Sequence, residues 1–314
     1  MGSEAQIIPS INLSGEALDL DGERYKVLCT KVREALENHG CFIAFYDKIS
    51  KGLREDMFMG MMSLFDLPEE TKKKYVDPRP YRSYLGKSKI IPLHESFGLD
   101  NEAGDKMAQE FTHLMWPEGN PSFCETLKSM SSKLVEMNNT IMKMIFESVG
   151  MGKLYNSHVE DSTSVLRIMK YKVPPSNESA MGLVPHTDKD TLTILCQNEV
   201  QGLELLNTQG QWITLIIPDG AFVVMAGDGL KARADAWSNA RFIAAKHKVM
   251  LSEKRERYSF GLFAMPKEGA TIQVPDELVD DDHPLLYQPF KFSDFFSYFV
   301  ENISDDALEL YAGV

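Results

Sequence analysis

The sequence lacks the features that would place the chain in a membrane or on a nucleic acid. Its longest apolar runs, such as residues 222–226, are far shorter than the roughly 20 residues that span a bilayer. Basic side chains are in deficit, with 33 Lys and Arg against 46 Asp and Glu and a net charge of −13. Such a field repels phosphate backbones and anionic lipids. We therefore expect neither a membrane nor a nucleic acid as a partner.

Cysteine is also scarce. The four cysteines, Cys29, Cys41, Cys124 and Cys196, form no Cys-x-x-Cys pair and lie among apolar residues, as small core side chains do. The first ten residues have neither the basic region nor the apolar region of a secretion signal. These features favour a reducing compartment, and we expect a cytoplasmic protein.

The first half of the chain predicts helices that pack on a core. The 314 residues, 43% of them hydrophobic, can form that core without disulfides. Residues 1–150 have mainly helical patterns, with one strand candidate at 41–46. The clearest helix is predicted to begin at Ser122, with Glu125 completing a capping box, and its apolar stripe covers 127–145.

Residues 151–280 change to short apolar segments separated by Gly, Pro and Asn. The strand candidates are 164–171, 191–197, 202–207, 211–217, 221–227, 246–251 and 257–266. Short strands at this spacing predict a sandwich or a double-stranded jelly roll. The fold class is therefore mainly β with flanking helices. Residues 281–314 return to a helical pattern, and we expect the three stretches to form one integrated unit.

The first candidate for a functional site is a His-x-Asp sequence. Asp188 follows His186 by two residues, just before the predicted strand at 191–197. In an extended segment, residues i and i+2 point to the same side, so the imidazole and the carboxylate can converge. Taken alone this is weak evidence, because a loop His beside a turn Asp is common. Asp190 is a second available carboxylate, but the His-x-Asp register favours Asp188.

Two later elements strengthen the prediction of a metal site. His247 lies on a predicted strand, and Arg257 and Ser259 share one face of the next. Two imidazoles and one carboxylate make the facial triad that binds non-haem Fe(II) and leaves coordination positions open. An Arg fork beside a Ser hydroxyl suits a carboxylate. The set predicts ferrous iron and a 2-oxo dicarboxylate that chelates the metal and meets Arg257, with Tyr171 as a further donor.

These residues lie within a wider resemblance. Over nearly its whole length the sequence resembles the plant-type Fe(II)- and 2-oxoglutarate-dependent dioxygenases. The matching motifs are ENHGCFIAFY at 37–46, LFDLPEETKKKY at 64–75, HTD at 186–188, GLELL at 202–206, VVMAGD at 223–228, WSNAR at 237–241, KHKV at 246–249 and RYSFGLF at 257–263. Residues 90–100 and 111–127 are similar to the AOP-like branch, which oxidises specialised metabolites.

The resemblance implies two sets of binding residues and a fold. The implied iron ligands are His186, Asp188 and His247. The implied cosubstrate contacts are Arg257, Ser259, Tyr171 and Arg167. The implied fold is a distorted double-stranded β-helix, cupin-like, with helices outside it and a C-terminal helical segment over the substrate mouth. Dioxygen is the other cosubstrate, and ascorbate is the expected reductant.

The implied reaction oxidises a small plant specialised metabolite and releases succinate and carbon dioxide from 2-oxoglutarate. Hydroxylation, O-demethylation and desaturation all remain open as outcomes. The carboxylate of Asp188 favours oxygen insertion over halogenation, since related halogenating enzymes have a small residue there. Candidates for apolar substrate contacts are Phe263, Met265 and Phe299. We expect a monomer that binds a small-molecule substrate.

The chain departs from the family pattern at two places, and alternative functions remain. Residues 231–235 lengthen one segment by about four residues, which predicts a longer exposed loop. Lys248 follows the second histidine where Arg is common. An ascorbate-dependent oxidase of the same fold also uses an Arg-x-Ser pair, and a zinc hydrolase can use two His and one Asp. A catalytically silent barrel that only binds a small molecule is the non-enzyme alternative.

Overall fold

The computed structural model describes residues 8–18, 22–175, 178–230, 242–275, 279, 281, 284–304 and 306–314. The strands are β1 (Ser10–Asn12), β2 (Cys41–Phe45), β3 (Tyr84–Leu85), β4 (His94–Asp100), β5 (Ser162–Tyr171), β6 (Ala180–His186), β7 (Leu192–Gln197), β8 (Leu203–Leu206), β9 (Trp212–Thr214), β10 (Phe222–Ala226), β11 (His247–Leu251), β12 (Arg257–Pro266), β13 (Thr271–Ile272) and β14 (Phe290–Lys291). The helices are α1 (Glu23–His39), α2 (Lys51–Phe65), α3 (Glu69–Lys72), α4 (Asp105–Met115), α5 (Pro121–Ser148), α6 (Tyr155–Glu160), α7 (Phe292–Glu301) and α8 (Ala307–Ala312).

Two facing sheets form the centre of the molecule. The larger sheet has the strand order β1-β2-β10-β7-β12-β5-β4-β3, and the smaller sheet has the order β6-β11-β8-β9. From β2 to β3 the neighbours in the larger sheet are antiparallel. This is the double-stranded β-helix that the sequence predicts, and β8 and β9 form an antiparallel hairpin within it.

Side chains along the strands of the larger sheet point alternately to its two faces, and each face borders a different interior. On β12, Tyr258 and Phe260 belong to the apolar core that the larger sheet shares with the helices. The residues that alternate with them, Arg257 and Ser259, point into the space between the two sheets and line a cavity there. Because side chains alternate across a strand, one strand can serve both a dry core and a polar site.

The long helix α5 covers the outer face of the larger sheet. Its predicted apolar stripe is confirmed, since each of its members is 0% exposed: Leu127, Met130, Leu134, Met137, Ile141, Met144 and Ile145. The predicted start was wrong. The side chain of Asn120 accepts the backbone N–H of Phe123 at 3.1 Å, and Pro121 is the first helical residue. Asn at the cap followed by Pro is itself a strong helix start, which takes precedence over Ser122 and Glu125.

The N-terminal region contains more strand than predicted. Besides β2, the strands β1, β3 and β4 from residues 1–150 also join the larger sheet. The strand β4 lies directly beside β5 and is buried despite its polar residues. Glu95 is tolerated there because Lys72 and Lys172 bind it at 2.8 and 2.6 Å. Polar residues that are paired in this way hide the strand pattern in the sequence.

Of the two departures from the family pattern, only Lys248 lies within the described residues. Residues 231–235 and the motif at 237–241 lie outside the described residues. Lys248 binds Glu204 at 3.1 Å and lies 4.4 Å from the centre of the Trp212 ring. The Lys248 side chain therefore lies on the outer side of the smaller sheet. Among the described helices, none has the length and the hydropathy needed to cross a membrane.

Candidate metal centre and cosubstrate site

Three side chains converge at one end of the smaller sheet. His186 is the last residue of β6 and His247 is the first residue of β11, and the two face each other in register. Asp188 lies in the turn that follows β6. Its Oδ1 is 3.5 Å from His186 Nε2 and 3.9 Å from His247 Nε2. One potential ligand atom from each residue lies within 4.8 Å of the others.

The backbone fixes both imidazole rings with Nε2 towards the centre. The Nδ1 atom of His186 lies 2.8 Å from the carbonyl oxygen of Val184, and that of His247 lies 2.9 Å from the carbonyl oxygen of Ala245. A carbonyl oxygen can only accept, so Nδ1 must carry the proton in both rings. Each Nε2 therefore presents its lone pair, as a metal ligand requires.

The carboxylate of Asp188 is oriented by Thr193. The Thr193 hydroxyl donates to Asp188 Oδ2 at 2.6 Å, which leaves Oδ1 directed at the two histidines. The same hydroxyl lies 2.8 Å from Oδ2 of Asp190. A hydroxyl has one proton, and burial raises the pKa of Asp190 well above its ordinary value. Burial thus favours the protonated form of Asp190, which can share its proton with the Thr193 hydroxyl.

Charge in this cluster matches a divalent cation. Burial alone would raise the pKa of Asp188, but the adjacent His247 and His186 outweigh it and lower the pKa. Burial lowers the pKa of His247 to about 4, so this ring is neutral at pH 7. A deprotonated carboxylate and neutral imidazoles are the forms that bind metal. Two nitrogens and one oxygen on one side of a point fit Fe(II) and leave its other side open.

A buried arginine lies deeper in the same interior. Arg257 is 1% exposed, so it takes no part in a surface salt bridge. Its guanidinium donates to Gln197 at 2.8 Å and to Ser259 at 3.3 Å, and lies 4.9 Å from the centre of the Tyr171 ring. Its Nε has no hydrogen-bond partner. No carboxylate of the described residues pairs with it, so this cation suits an anionic ligand.

One cavity of about 350 Å³ connects these features. All ten site residues predicted from the sequence line it: His186, Asp188, His247, Arg257, Ser259, Tyr171, Arg167, Phe263, Met265 and Phe299. The structure thus brings the three predicted groups of residues together. Phe299 comes from α7, so the C-terminal segment contributes to the wall of the cavity.

The sequence did not reveal every residue at this site. His94 is 2% exposed, and its ring centre lies 4.9 Å from that of Tyr171. Burial lowers the pKa of His94 to about 3, so it lines the cavity as a neutral ring. It was missed because β4 was missed. Tyr81 also lines the cavity and has φ of +63°, a left-handed conformation for which its sequence gives no signal.

Comparisons with known proteins agree with this arrangement. The family model of the 2OG-Fe(II) oxygenase superfamily matches residues 162–266, and that of the N-terminal region of non-haem dioxygenases in morphine synthesis matches residues 8–119. A relative in Arabidopsis thaliana, named "Probable 2-oxoglutarate-dependent dioxygenase AOP1.2", is 36% identical over 97% of this chain and 95% of its own.

Solved structures are similar over almost the whole fold. The dioxygenase for auxin oxidation of rice is 28% identical with a TM-score of 0.83, over 98% of this chain and 100% of that chain. The dioxygenase for auxin oxidation 1 of Arabidopsis thaliana, solved with 2-oxoglutarate, is 28% identical with a TM-score of 0.79, over 88% and 100%. The resemblance to the plant-type dioxygenases is thereby confirmed, and it disfavours the ascorbate-dependent and zinc alternatives. The chain belongs to the 2OG-Fe(II) oxygenase superfamily and is a 2-oxoglutarate-dependent dioxygenase, which uses Fe(II) and 2-oxoglutarate to oxidise a small metabolite.

Proposed function

We propose that His186, Asp188 and His247 are the Fe(II) ligands and that Arg257 and Ser259 bind the distal carboxylate of 2-oxoglutarate. The observation on which this rests is the buried guanidinium of Arg257, which has no carboxylate partner among the described residues and lines the same cavity as the triad. A buried charge without a counter-charge is costly unless a ligand supplies one. 2-Oxoglutarate supplies it and places a metal-chelating group at its other end.

The residues around Arg257 hold its guanidinium in one orientation. Gln197 accepts from one terminal nitrogen, and the ring of Tyr171 lies beside the guanidinium. Ser259 lies next to the other terminal nitrogen, where its hydroxyl can donate to a bound carboxylate. Donors that are held before binding lose little entropy when the ligand arrives. We propose that Tyr171 adds a further hydrogen bond from its hydroxyl.

The iron, when bound, supplies dioxygen activation coupled to the decarboxylation of 2-oxoglutarate to succinate and carbon dioxide. The protein holds the substrate beside this centre and excludes water from it. Phe263 and Met265 on β12 and Phe299 on α7 line the cavity, and we propose that they contact the substrate. The volume of about 350 Å³ suits a small metabolite. The oxidation is a hydroxylation, an O-demethylation or a desaturation.

We further propose that the enzyme acts as a cytoplasmic monomer with ascorbate as its reductant. The four cysteines are free thiols, as a reducing compartment keeps them. The net charge of −13 disfavours nucleic acid and anionic membrane surfaces as partners. Size-exclusion chromatography with light scattering tests the monomer directly.

Succinate formation from 2-oxoglutarate tests the proposed cosubstrate site. Anaerobically iron-loaded protein is exposed to oxygen, with a plant-metabolite extract added or withheld. The Arg257→Leu variant should lower kcat/KM for 2-oxoglutarate by about 100-fold, because a buried charge-assisted hydrogen-bond pair contributes about 3 kcal/mol. Circular dichroism checks that the variant is folded.

Arg255 provides the matched control. It lies two residues earlier, is exposed and pairs with Glu199 at 2.7 Å. The Arg255→Leu variant should form succinate like the unchanged enzyme. Equal losses in both variants, or no loss in Arg257→Leu, would contradict the proposed clamp. Oxidation that needs ascorbate but no 2-oxoglutarate would contradict the proposed cosubstrate.

A further inference from the structure

Arginine and lysine side chains line the cavity at four positions, Arg82, Arg167, Lys189 and Arg257. Arg82 binds Asp100 at 2.9 Å, and Lys189 binds Asp228. Arg257 is assigned above to 2-oxoglutarate. Arg167 is left, and no carboxylate of the described residues forms an ion pair with it. A guanidinium remains charged at any physiological pH, so this charge needs another partner.

Arg167 lies at a level of the larger sheet where its neighbours have no side chains. Its cross-strand partners are Gly98 on β4 and Gly261 on β12. A Cβ at Gly98 would lie 1.8 Å from the carbonyl oxygen of Tyr81, so this position excludes any larger residue. The guanidinium is therefore flanked by backbone, and no adjacent strand residue on its level can neutralise it.

Two aromatic rings lie beside the Arg167 guanidinium, and one of its N–H donors has no acceptor. Its central carbon lies 5.4 Å from the centre of the Tyr81 ring and 5.7 Å from that of Phe263. One terminal nitrogen donates to the hydroxyl of Ser96 at 3.0 Å. The Nε atom is buried and has no hydrogen-bond partner. A buried donor without an acceptor, facing a cavity with apolar walls, points to an anionic group on a ligand.

2-Oxoglutarate does not account for this second cation. Its distal carboxylate is assigned to Arg257, and its other end chelates the iron. Arg167 lies four residues from Tyr171 on the same strand and the same face, which separates their Cα atoms by about 13 Å along β5. The Phe263 ring beside Arg167 lies on the wall assigned to the substrate. Arg167 is thus placed on the substrate side of the cavity.

We propose that Arg167 binds a carboxylate of the primary substrate, so that the enzyme acts on small apolar acids. This inference rests on the proposed function and narrows its substrate class. It also replaces the expectation from the family resemblance that Arg167 contacts the cosubstrate. The acid lies with its charged end at Arg167, whose guanidinium Ser96 holds from behind, and with its apolar body against the aromatic walls.

Binding of matched acids and amides tests the proposal. The probes are 4-phenylbutyrate and indole-3-acetate, each compared with its primary amide. They are titrated calorimetrically up to 10 mM into anaerobic protein that holds Fe(II) and 2-oxoglutarate. The unchanged enzyme should bind each acid about tenfold more tightly than its amide, as expected for a charge-assisted hydrogen bond. Arg167→Gln should abolish this preference, and Arg167→Lys should retain part of it.

Arg82→Gln is the matched control, because Arg82 lines the same cavity but already pairs with Asp100, which Arg79 also binds. It should keep the preference for acids. The proposal is overturned if the unchanged enzyme shows no preference, including no binding of either probe, or if Arg167→Gln keeps the preference. It is also overturned if Arg167→Gln lowers the affinity for 2-oxoglutarate as much as Arg257→Leu does. Normal 2-oxoglutarate affinity in Arg257→Leu would instead contradict the proposed function.

Discussion

A single hydroxyl determines which oxygen of the metal-binding carboxylate faces the histidines. Thr193 holds one oxygen of Asp188 and leaves the other for the metal. Residues that orient a ligand typically change metal affinity by about 10- to 100-fold when they are lost. Thr193 lies on β7, whereas Asp188 lies in the preceding turn, so their contact depends on how the chain reverses there.

We predict that Thr193→Val weakens Fe(II) binding by about 10- to 100-fold, because Asp188 can then rotate away from the histidines. Anaerobic Fe(II) titration with a competing chelator measures this affinity. Thr191→Val is a matched control, since the Thr191 hydroxyl is buried without a partner. Equal Fe(II) affinity in the two variants would contradict an orienting role for Thr193.

Among individual residues, the sequence predicts those whose side-chain type by itself indicates a binding role. His186, Asp188 and His247 are metal ligands by type, and Arg257 beside Ser259 is a carboxylate site by type. Thr193 has no such signature, because its role depends on a contact across a turn. The excess charge of Arg167 was likewise invisible, since the pairing of the other cavity cations is known only from the structure.

Among the elements, β4 depends on one buried ion-pair network. Glu95 binds Lys72 on α3 and Lys172 at the end of β5, and the Tyr84 hydroxyl donates to it at 3.0 Å. We predict that Glu95→Gln lowers the free energy of unfolding by about 3 kcal/mol, because it leaves the buried ammonium group of Lys72 without a counter-charge. Urea unfolding at pH 7 measures the difference.

An exposed pair nearby is the control for this variant. Glu69 binds Lys73 at 2.9 Å with both side chains more than half exposed. Its substitution in Glu69→Gln should leave the unfolding midpoint almost unchanged, since solvent screens exposed pairs. If Glu69→Gln destabilises the protein as strongly as Glu95→Gln, burial is not what makes the network important.

The same network predicts how the difference in unfolding free energy between the unchanged protein and Glu95→Gln depends on pH. Burial alone would raise the pKa of Glu95, but hydrogen bonds from Lys172 and Lys72 lower it from 4.5 to about 2. A lowered folded pKa gives stability that is present above the unfolded pKa and is lost as the pH falls through the folded value. The difference between the unchanged protein and Glu95→Gln should therefore be constant above about pH 5 and shrink towards pH 2. Urea unfolding at intervals across that range measures it, and a difference that grows with acidification would contradict the pairing.

Strand prediction succeeded where burial makes the sequence apolar and failed where function or pairing makes it polar. The segment Leu192–Gln197 is buried throughout and was predicted from composition. In contrast, β6 contains Gly182 and Pro185 and ends at a metal-binding histidine, and it was missed. The neighbouring β11 pairs with it through irregular register. Of the two strands that carry the proposed histidine ligands, β6 thus has the weaker pattern, whereas β11 was predicted.

In the whole molecule, the proposed ligands come from two distant segments, residues 186–188 and the start of β11, which meet only in the folded state. Iron and 2-oxoglutarate should therefore stabilise the fold by mass action. At about 100 times its dissociation constant, each ligand adds about 2.7 kcal/mol, which corresponds to an increase in Tm of about 4 °C for each. Anaerobic differential scanning fluorimetry measures it, with Asp188→Ala as the control. An equal shift in that variant would mean that the ligands bind elsewhere.

The overall architecture was predictable because two sources agreed, the change from helical to strand patterns near residue 150 and the resemblance along the chain. What could not be predicted is how far the two parts intermix. Strands β1 to β4 belong to the same sheet as β5, β7, β10 and β12 from the second half of the chain. Pairing between distant segments depends on register in three dimensions, which local patterns do not encode.

The most direct measurement is the Fe(II) content and 2-oxoglutarate affinity of five anaerobic samples: the unchanged protein, Asp188→Ala, His247→Ala, Asp190→Asn and Arg257→Leu. We predict one Fe(II) per chain in the unchanged protein, loss of iron in Asp188→Ala and His247→Ala, and retention in Asp190→Asn, whose amide resembles the protonated carboxyl. Arg257→Leu should keep the iron and bind 2-oxoglutarate about 100-fold more weakly. Full iron in Asp188→Ala, or iron lost from Asp190→Asn alone, would contradict the proposed metal centre.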